Sequence, residues 1–183
     1  KFEGTINTIL SERARRSPDS IAVMDPEQRW TYRELDEVSD RLANAVITAG
    51  VEPKDTVAIY AQRNASLVIA MFGVLKAGAA FLIMDPAYPT GRTLDYLRIA
   101  QPKAWLQVAG DGEPPENLLN YLNSLDLRCR MTIASGKSEL LQDLSASPMT
   151  SVGITIEADE PAYIAFTSGS TGEPKGVICR HGP

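Results

Sequence analysis

Apolar positions along the chain change period several times, and each change marks a predicted element. Ile6, Ile9 and Leu10 recur at helical spacing within residues 5–16, and Pro18 stops that run. Ile21-Ala22-Val23-Met24 predicts a short strand, with Asp25-Pro26-Glu27-Gln28 as the turn after it. Leu35, Val38, Leu42 and Val46 then make one stripe of a helix that Gly50 ends. Thr31 and Glu34 stand at its start as a capping box, in which hydroxyl and carboxylate each satisfy an orphan helix N–H. Residues 51–55 predict a turn and 56–60 a strand. Residues 66–76 are apolar on most sides, which predicts a buried helix, capped by Gly78 and followed by a strand over 79–84. Strand, helix, strand at this spacing is a βαβ unit, with parallel pairing and a right-handed crossover.

The alternation continues. A helix is predicted over 92–100, stopped before Pro102, and a strand over 104–109. Gly110 to Pro115 is a loop, with Pro115 suited to the first turn of a helix over 116–125. A strand over 130–134 follows, then polar loops around Leu140-Leu141 as far as about Glu160. Tyr163 to Phe166 is an apolar run that predicts a buried strand. The whole pattern predicts an α/β fold with a mainly parallel sheet flanked by helices. No internal repeat or low-complexity tract interrupts it.

Composition narrows the function classes. A chain of 183 residues is long enough to bury a core, and 44% hydrophobic with 22% charged residues is ordinary for a soluble globular protein. A net charge of −5 argues against nonspecific nucleic-acid binding but leaves a nucleotide substrate open. Cys129 and Cys179 lie far apart and His181 is the one histidine, so neither a CxxC motif nor a metal-ligand cluster exists. Two thiols fit a reducing cytoplasm. No apolar run approaches a bilayer span and no signal-peptide pattern opens the chain, so no membrane partner is expected. The start at Lys1 and the stop at Pro183 give the expectation of a piece of something larger.

The candidate chemistry lies after the last predicted strand, in Thr167-Ser168-Gly169-Ser170-Thr171-Gly172-Glu173-Pro174-Lys175-Gly176. Glycines let successive backbone N–H groups turn inward as a concave nest, hydroxyls add donors and the ammonium adds charge, an arrangement that suits phosphate. A P-loop of the Gly-Lys-[Ser/Thr] type is excluded, because Pro174 precedes Lys175 and Gly176 follows it. The alternative is a polar surface loop after a core strand.

This stretch, read as Tyr-Ile-Ala-Phe-Thr-Ser-Gly-Ser-Thr-Gly-x-Pro-Lys-Gly-Val, closely resembles the phosphate-binding loop of the adenylate-forming (ANL) enzymes, most of all nonribosomal peptide synthetase adenylation domains. Residues 30–35 resemble the first motif of those domains. Residues 75–89 resemble the second, with Ile83 where the family usually has Pro. The resemblance covers residues 5–96 and 160–181 and implies part of the family's large N-terminal subdomain. It makes residues 1–183 the N-terminal part of an adenylation domain, without the acid pocket, the adenine-binding segments or the C-terminal subdomain with its catalytic lysine.

The resemblance implies ATP-dependent activation of an amino acid or related carboxylic acid as an acyl-adenylate, followed by transfer to the phosphopantetheine thiol of a peptidyl carrier domain. Backbone N–H groups of Ser168, Gly169, Ser170, Thr171 and Gly172, with the hydroxyls of Thr167, Ser168, Ser170 and Thr171, would hold the β- and γ-phosphates. Lys175 would place charge on the leaving pyrophosphate as the candidate catalytic residue. Mg²⁺ would neutralise the triphosphate, with no ligand for it assigned within the chain. An acyl-CoA or aryl-CoA ligase and a non-catalytic interaction module stand as alternatives. His181 is expected to pack or anchor a loop, Tyr163 and Phe166 to belong to the sheet core, and Cys179 to lack the partners of a nucleophile.

Overall fold

Two threonines cap the first two helices. Thr5 accepts from the Thr8 N–H ahead of α1 (Ile6–Arg16), and Thr31 accepts from the Glu34 N–H ahead of α2 (Tyr32–Thr48). Glu34 returns the bond to the Thr31 N–H at 2.9 Å, completing the capping box. Between these helices, β1 (Ile21–Met24) and β2 (Arg29–Thr31) pair antiparallel as a small ribbon. The structure, a computed structural model, describes residues 4–110, 112–168 and 174–182.

From α2 onward the chain builds a layered α/β unit. The order is β3 (Thr56–Tyr60), α3 (Ala65–Lys76), β4 (Ala80–Met84), α4 (Thr90–Ala100), β5 (Ala104–Val108), α5 (Glu116–Ser124), β6 (Cys129–Ile133), α6 (Lys137–Asp143), β7 (Pro161–Ser168) and β8 (Pro174–Arg180). These strands form one sheet in the order β6-β5-β3-β4-β7-β8. All neighbours pair parallel except β7 and β8. The predicted α/β architecture with a mainly parallel sheet is therefore observed.

Alternation along β3 divides the core in two. Val57 and Ile59 join a cluster with Leu35, Leu42, Ile69 and Leu75 from α2 and α3. Ala58 and Tyr60 join another with Leu97 of α4 and Leu118 and Leu122 of α5. Successive side chains of a strand point to opposite faces, so a sheet covered on both sides is apolar at every position. On the first of these faces α2 and α3 end at Gly50 and Gly78, with φ of 105° and 74°, conformations that favour glycine. In both, the next N–H reaches back to a carbonyl five residues earlier, Val51 to Val46 and Ala79 to Val74.

Three elements depart from expectation. Residues 137–143, read as polar loop, form α6, whose one buried side chain is Leu140. Trp30 and Thr31, read as the lead-in to a helix, lie in β2, and Trp30 is fully buried. Residues 174–180, given no element, form the edge strand β8. The segment between α6 and β7 is held from α2: Arg41 donates to the carbonyls of Leu144, Ser145 and Ser147, and Asn44 to those of Pro148 and Thr150.

Candidate functional site

Ala162, the second residue of β7, is fully buried, and exposure rises toward Thr167 as the strand runs out past the core. β8 returns antiparallel beside it, so the hairpin sets two predicted site residues side by side: Thr167 faces Lys175 across the pair. Both are exposed. One position further along, the backbone of Ser168 faces that of Pro174. Gly169, Ser170, Thr171 and Gly172 lie outside the described residues. Among the described residues no carboxylate forms an ion pair with Lys175.

Rings hold the base of this hairpin. Tyr163 stacks on Phe81 of β4, with centroids 5.4 Å apart and planes at 14°. Phe166 stacks on Tyr96 of α4 at 3.9 Å and 6°. Tyr88 meets Tyr96 edge-on at 6.3 Å and 84°, and the Arg92 guanidinium sits 5.6 Å from the Tyr88 centroid and 5.9 Å from that of Tyr96. Facing Tyr163, Cys179 pushes the phenol's pKa up, with burial adding to the shift.

The family model described as AMP-binding enzyme matches residues 10–183. The chain belongs to this family of adenylate-forming enzymes. It is 38% identical over 178 residues to phosphinothricin tripeptide synthetase PhsC of Streptomyces viridochromogenes, a match covering 97% of this chain and 15% of that protein. L-2-aminoadipate reductase of Schizosaccharomyces pombe is 33% identical over 203 residues, covering 98% of this chain and 14% of that protein. Among solved structures, the N-terminal subdomain of Klebsiella oxytoca NpsA in complex with 3-hydroxybenzoyl-AMSN superposes with a TM-score of 0.78 at 27% identity, covering 98% of this chain and 41% of that one. The chain thus spans about one seventh of the length of these curated relatives.

In this AMP-binding chain the accessory candidates take structural places. His181 lies just past β8, is 4% exposed, and its backbone N–H donates to the Glu160 carbonyl at 3.1 Å. Burial holds its pKa down against the attraction of Glu160, so the ring is neutral near pH 7. It packs and anchors, as expected. Cys179 is half-buried and faces Tyr163, with no bond to His181 among the described residues. Phe166 packs on the cluster around α4 and α5, and Tyr163 against the opposite one.

No group of three or more His, Cys, Asp or Glu side chains that could hold a metal occurs among the described residues. No helix among the described residues is long and apolar enough to cross a membrane. Sequence reasoning missed Tyr96 and Arg92. Their spacing of four on a predicted helix was the available signal, since it puts both on one face.

Proposed function

We propose that the complete protein uses ATP to activate an amino acid or a related carboxylic acid as an acyl-adenylate, and then transfers it to the phosphopantetheine thiol of a carrier domain in nonribosomal peptide-type biosynthesis. Within it, residues 1–183 are the N-terminal part of an adenylation domain, working in the cytoplasm. The observation that carries this reading is the exposed Thr167–Lys175 pair, which flanks a Gly/Ser/Thr-rich stretch of the sequence, in a chain of the AMP-binding family. The similarity to phosphinothricin tripeptide synthetase favours the peptide-synthetase branch over an acyl-CoA or aryl-CoA ligase.

In the proposed step, a carboxylate oxygen of the acid attacks the α-phosphorus, the bond to the β-bridging oxygen breaks, and pyrophosphate leaves with the electron pair. Charge grows on the departing group, so catalysis rests on positioning and electrostatic stabilisation. Thr167 and the hydroxyls of Ser168, Ser170 and Thr171, with backbone N–H groups through Gly172, hold the β- and γ-phosphates. Lys175 stabilises the leaving group.

Lys175→Ala in the complete enzyme tests the reading. ATP–pyrophosphate exchange should fall by roughly 10²-fold or more, in line with removal of one transition-state charge or donor. The melting temperature should stay close to that of the parent, because an exposed side chain contributes little folding energy. Unchanged exchange would sink the role of Lys175, whereas a parent protein without any acid-dependent exchange would make the interaction module the better reading.

A further inference from the structure

Beyond Tyr163, β7 loses its neighbour in the sheet. Among the described residues β4 and β7 share a single facing pair, Phe81 with Tyr163. A gap of about 230 Å³ lies there, lined in part by Leu82, Tyr96, Ile164 and Phe166. The strand residues just before Thr167, Ile164 to Phe166, therefore have a ladder partner on one side only, and that partner is β8, the edge of the sheet. A hairpin tied to the sheet at its base swings as a unit unless side chains fix it.

Nearest to Thr167 among the side chains that do so is Phe166, through its near-parallel stack on Tyr96 at 3.9 Å; Ile164 packs into the same cluster further back along the strand. Tyr96 is itself 8% exposed and rests on α4, a helix anchored by Leu97 in the core. Tyr88 packs edge-on against it, and the Arg92 guanidinium lies over both tyrosine rings, where the ring quadrupoles attract a cation. We propose that Tyr96 is a positioning residue for ATP: acting through Phe166, it fixes where Thr167 and Lys175 stand relative to the parallel sheet. The proposal rests on the reading of those two residues as ATP contacts. Its physical basis is that a displacement of about 1 Å in a group that meets a reacting phosphate costs on the order of 10²-fold, so a ring one residue from Thr167 matters beyond its share of stability.

The test uses the complete enzyme and separates the two substrates. Tyr96→Leu keeps an apolar side chain on α4 but removes the stack. KM for ATP should rise roughly tenfold or more, while KM for the acid stays within about twofold. Tyr96→Phe keeps the stack and should restore both to near the parent values. Phe166→Leu cuts the same contact from the strand side and should reproduce the Tyr96→Leu pattern, which keeps the proposal testable if Tyr96→Leu fails to fold. An unchanged KM for ATP in the folded Leu variants, or a parallel rise in both KM values, overturns the proposal. So does a Tyr96→Phe enzyme as impaired as Tyr96→Leu. Lys175→Ala run alongside separates the two ideas. If it too leaves ATP use intact, the ATP site itself is misassigned. If it abolishes exchange while Tyr96→Leu is silent, only the positioning role is wrong.

Discussion

Asp25 ties distant parts of the chain together. Its carboxylate accepts from the Ala65 N–H at 2.9 Å, at the start of α3, and from the Glu27 and Gln28 N–H groups at 2.9 Å each. The Ala65 bond does most to hold its pKa below the ordinary carboxylate value, against the opposing effect of burial. A depressed pKa means that the stabilisation is present above the unfolded value and is lost as pH falls through the folded one. Asp25→Asn should therefore cost about 1–3 kcal/mol near pH 7, through lost charge-assisted bonds. That difference should close as both proteins are acidified below about pH 4. Urea midpoints across this range check it; a gap independent of pH would contradict it. The residue scale also marks what a sequence discloses. The Thr31–Glu34 box is legible because both partners sit within one turn. Asp25 read as a turn residue, and its reach of forty positions to α3 has no local sign.

At the scale of elements, α2 and α3 approach closely where Gly73 meets Leu42. A methyl group added at Gly73 would lie 2.6–2.9 Å from the Cδ2, Cγ and Cβ atoms of Leu42. Leu42 is fully buried and its Cβ moves only with its backbone. Gly73→Ala would gain up to about 1 kcal/mol of helix preference. Overpacking costs about 1–3 kcal/mol, so the net effect should be destabilising. A lower melting temperature is the expected result, and a stabilised variant would mean that the helices can separate freely. α2 was legible for the same reason that it packs, one apolar face repeated over several turns, and α3 because it is apolar on most sides over a length too great for a strand. α6 was not, since seven residues with one buried leucine carry no period. β8 was hidden by its exposure, with Val177 46% and Ile178 61% accessible at the sheet edge, so no alternation of burial marks it. Antiparallel pairing there is what brings Thr167 and Lys175 together, a geometry that the string of residues between them does not disclose. The Tyr96–Phe166 stack was equally invisible, because its partners lie on elements far apart in the chain.

At the scale of the molecule, the βαβ alternation disclosed the layered fold, but strand order needs long-range pairing that no local pattern encodes. The order β6-β5-β3-β4-β7-β8 seats β4 between its near neighbour β3 and the distant β7. This has a consequence in time. On a ribosome, β4 is complete when Met84 emerges, whereas β7 begins only at Pro161. At about 5–20 residues per second the interval is on the order of 4–15 s, during which β3 to β6 have assembled and one flank of β4 is bare. Phe81, 5% exposed in the finished fold beneath Tyr163, should be open throughout that interval. With Cys129 and Cys179 replaced by Ser, a Phe81→Cys reporter should react with a thiol reagent in stalled nascent chains that expose residues 1–145, and be shielded once 1–182 are out. Equal labelling in both would mean that another part of the chain guards the edge during synthesis. Synthesis rate thus enters as a variable for this fold: slower translation between the fourth and seventh strands lengthens the period in which an unfinished sheet can capture a neighbouring chain.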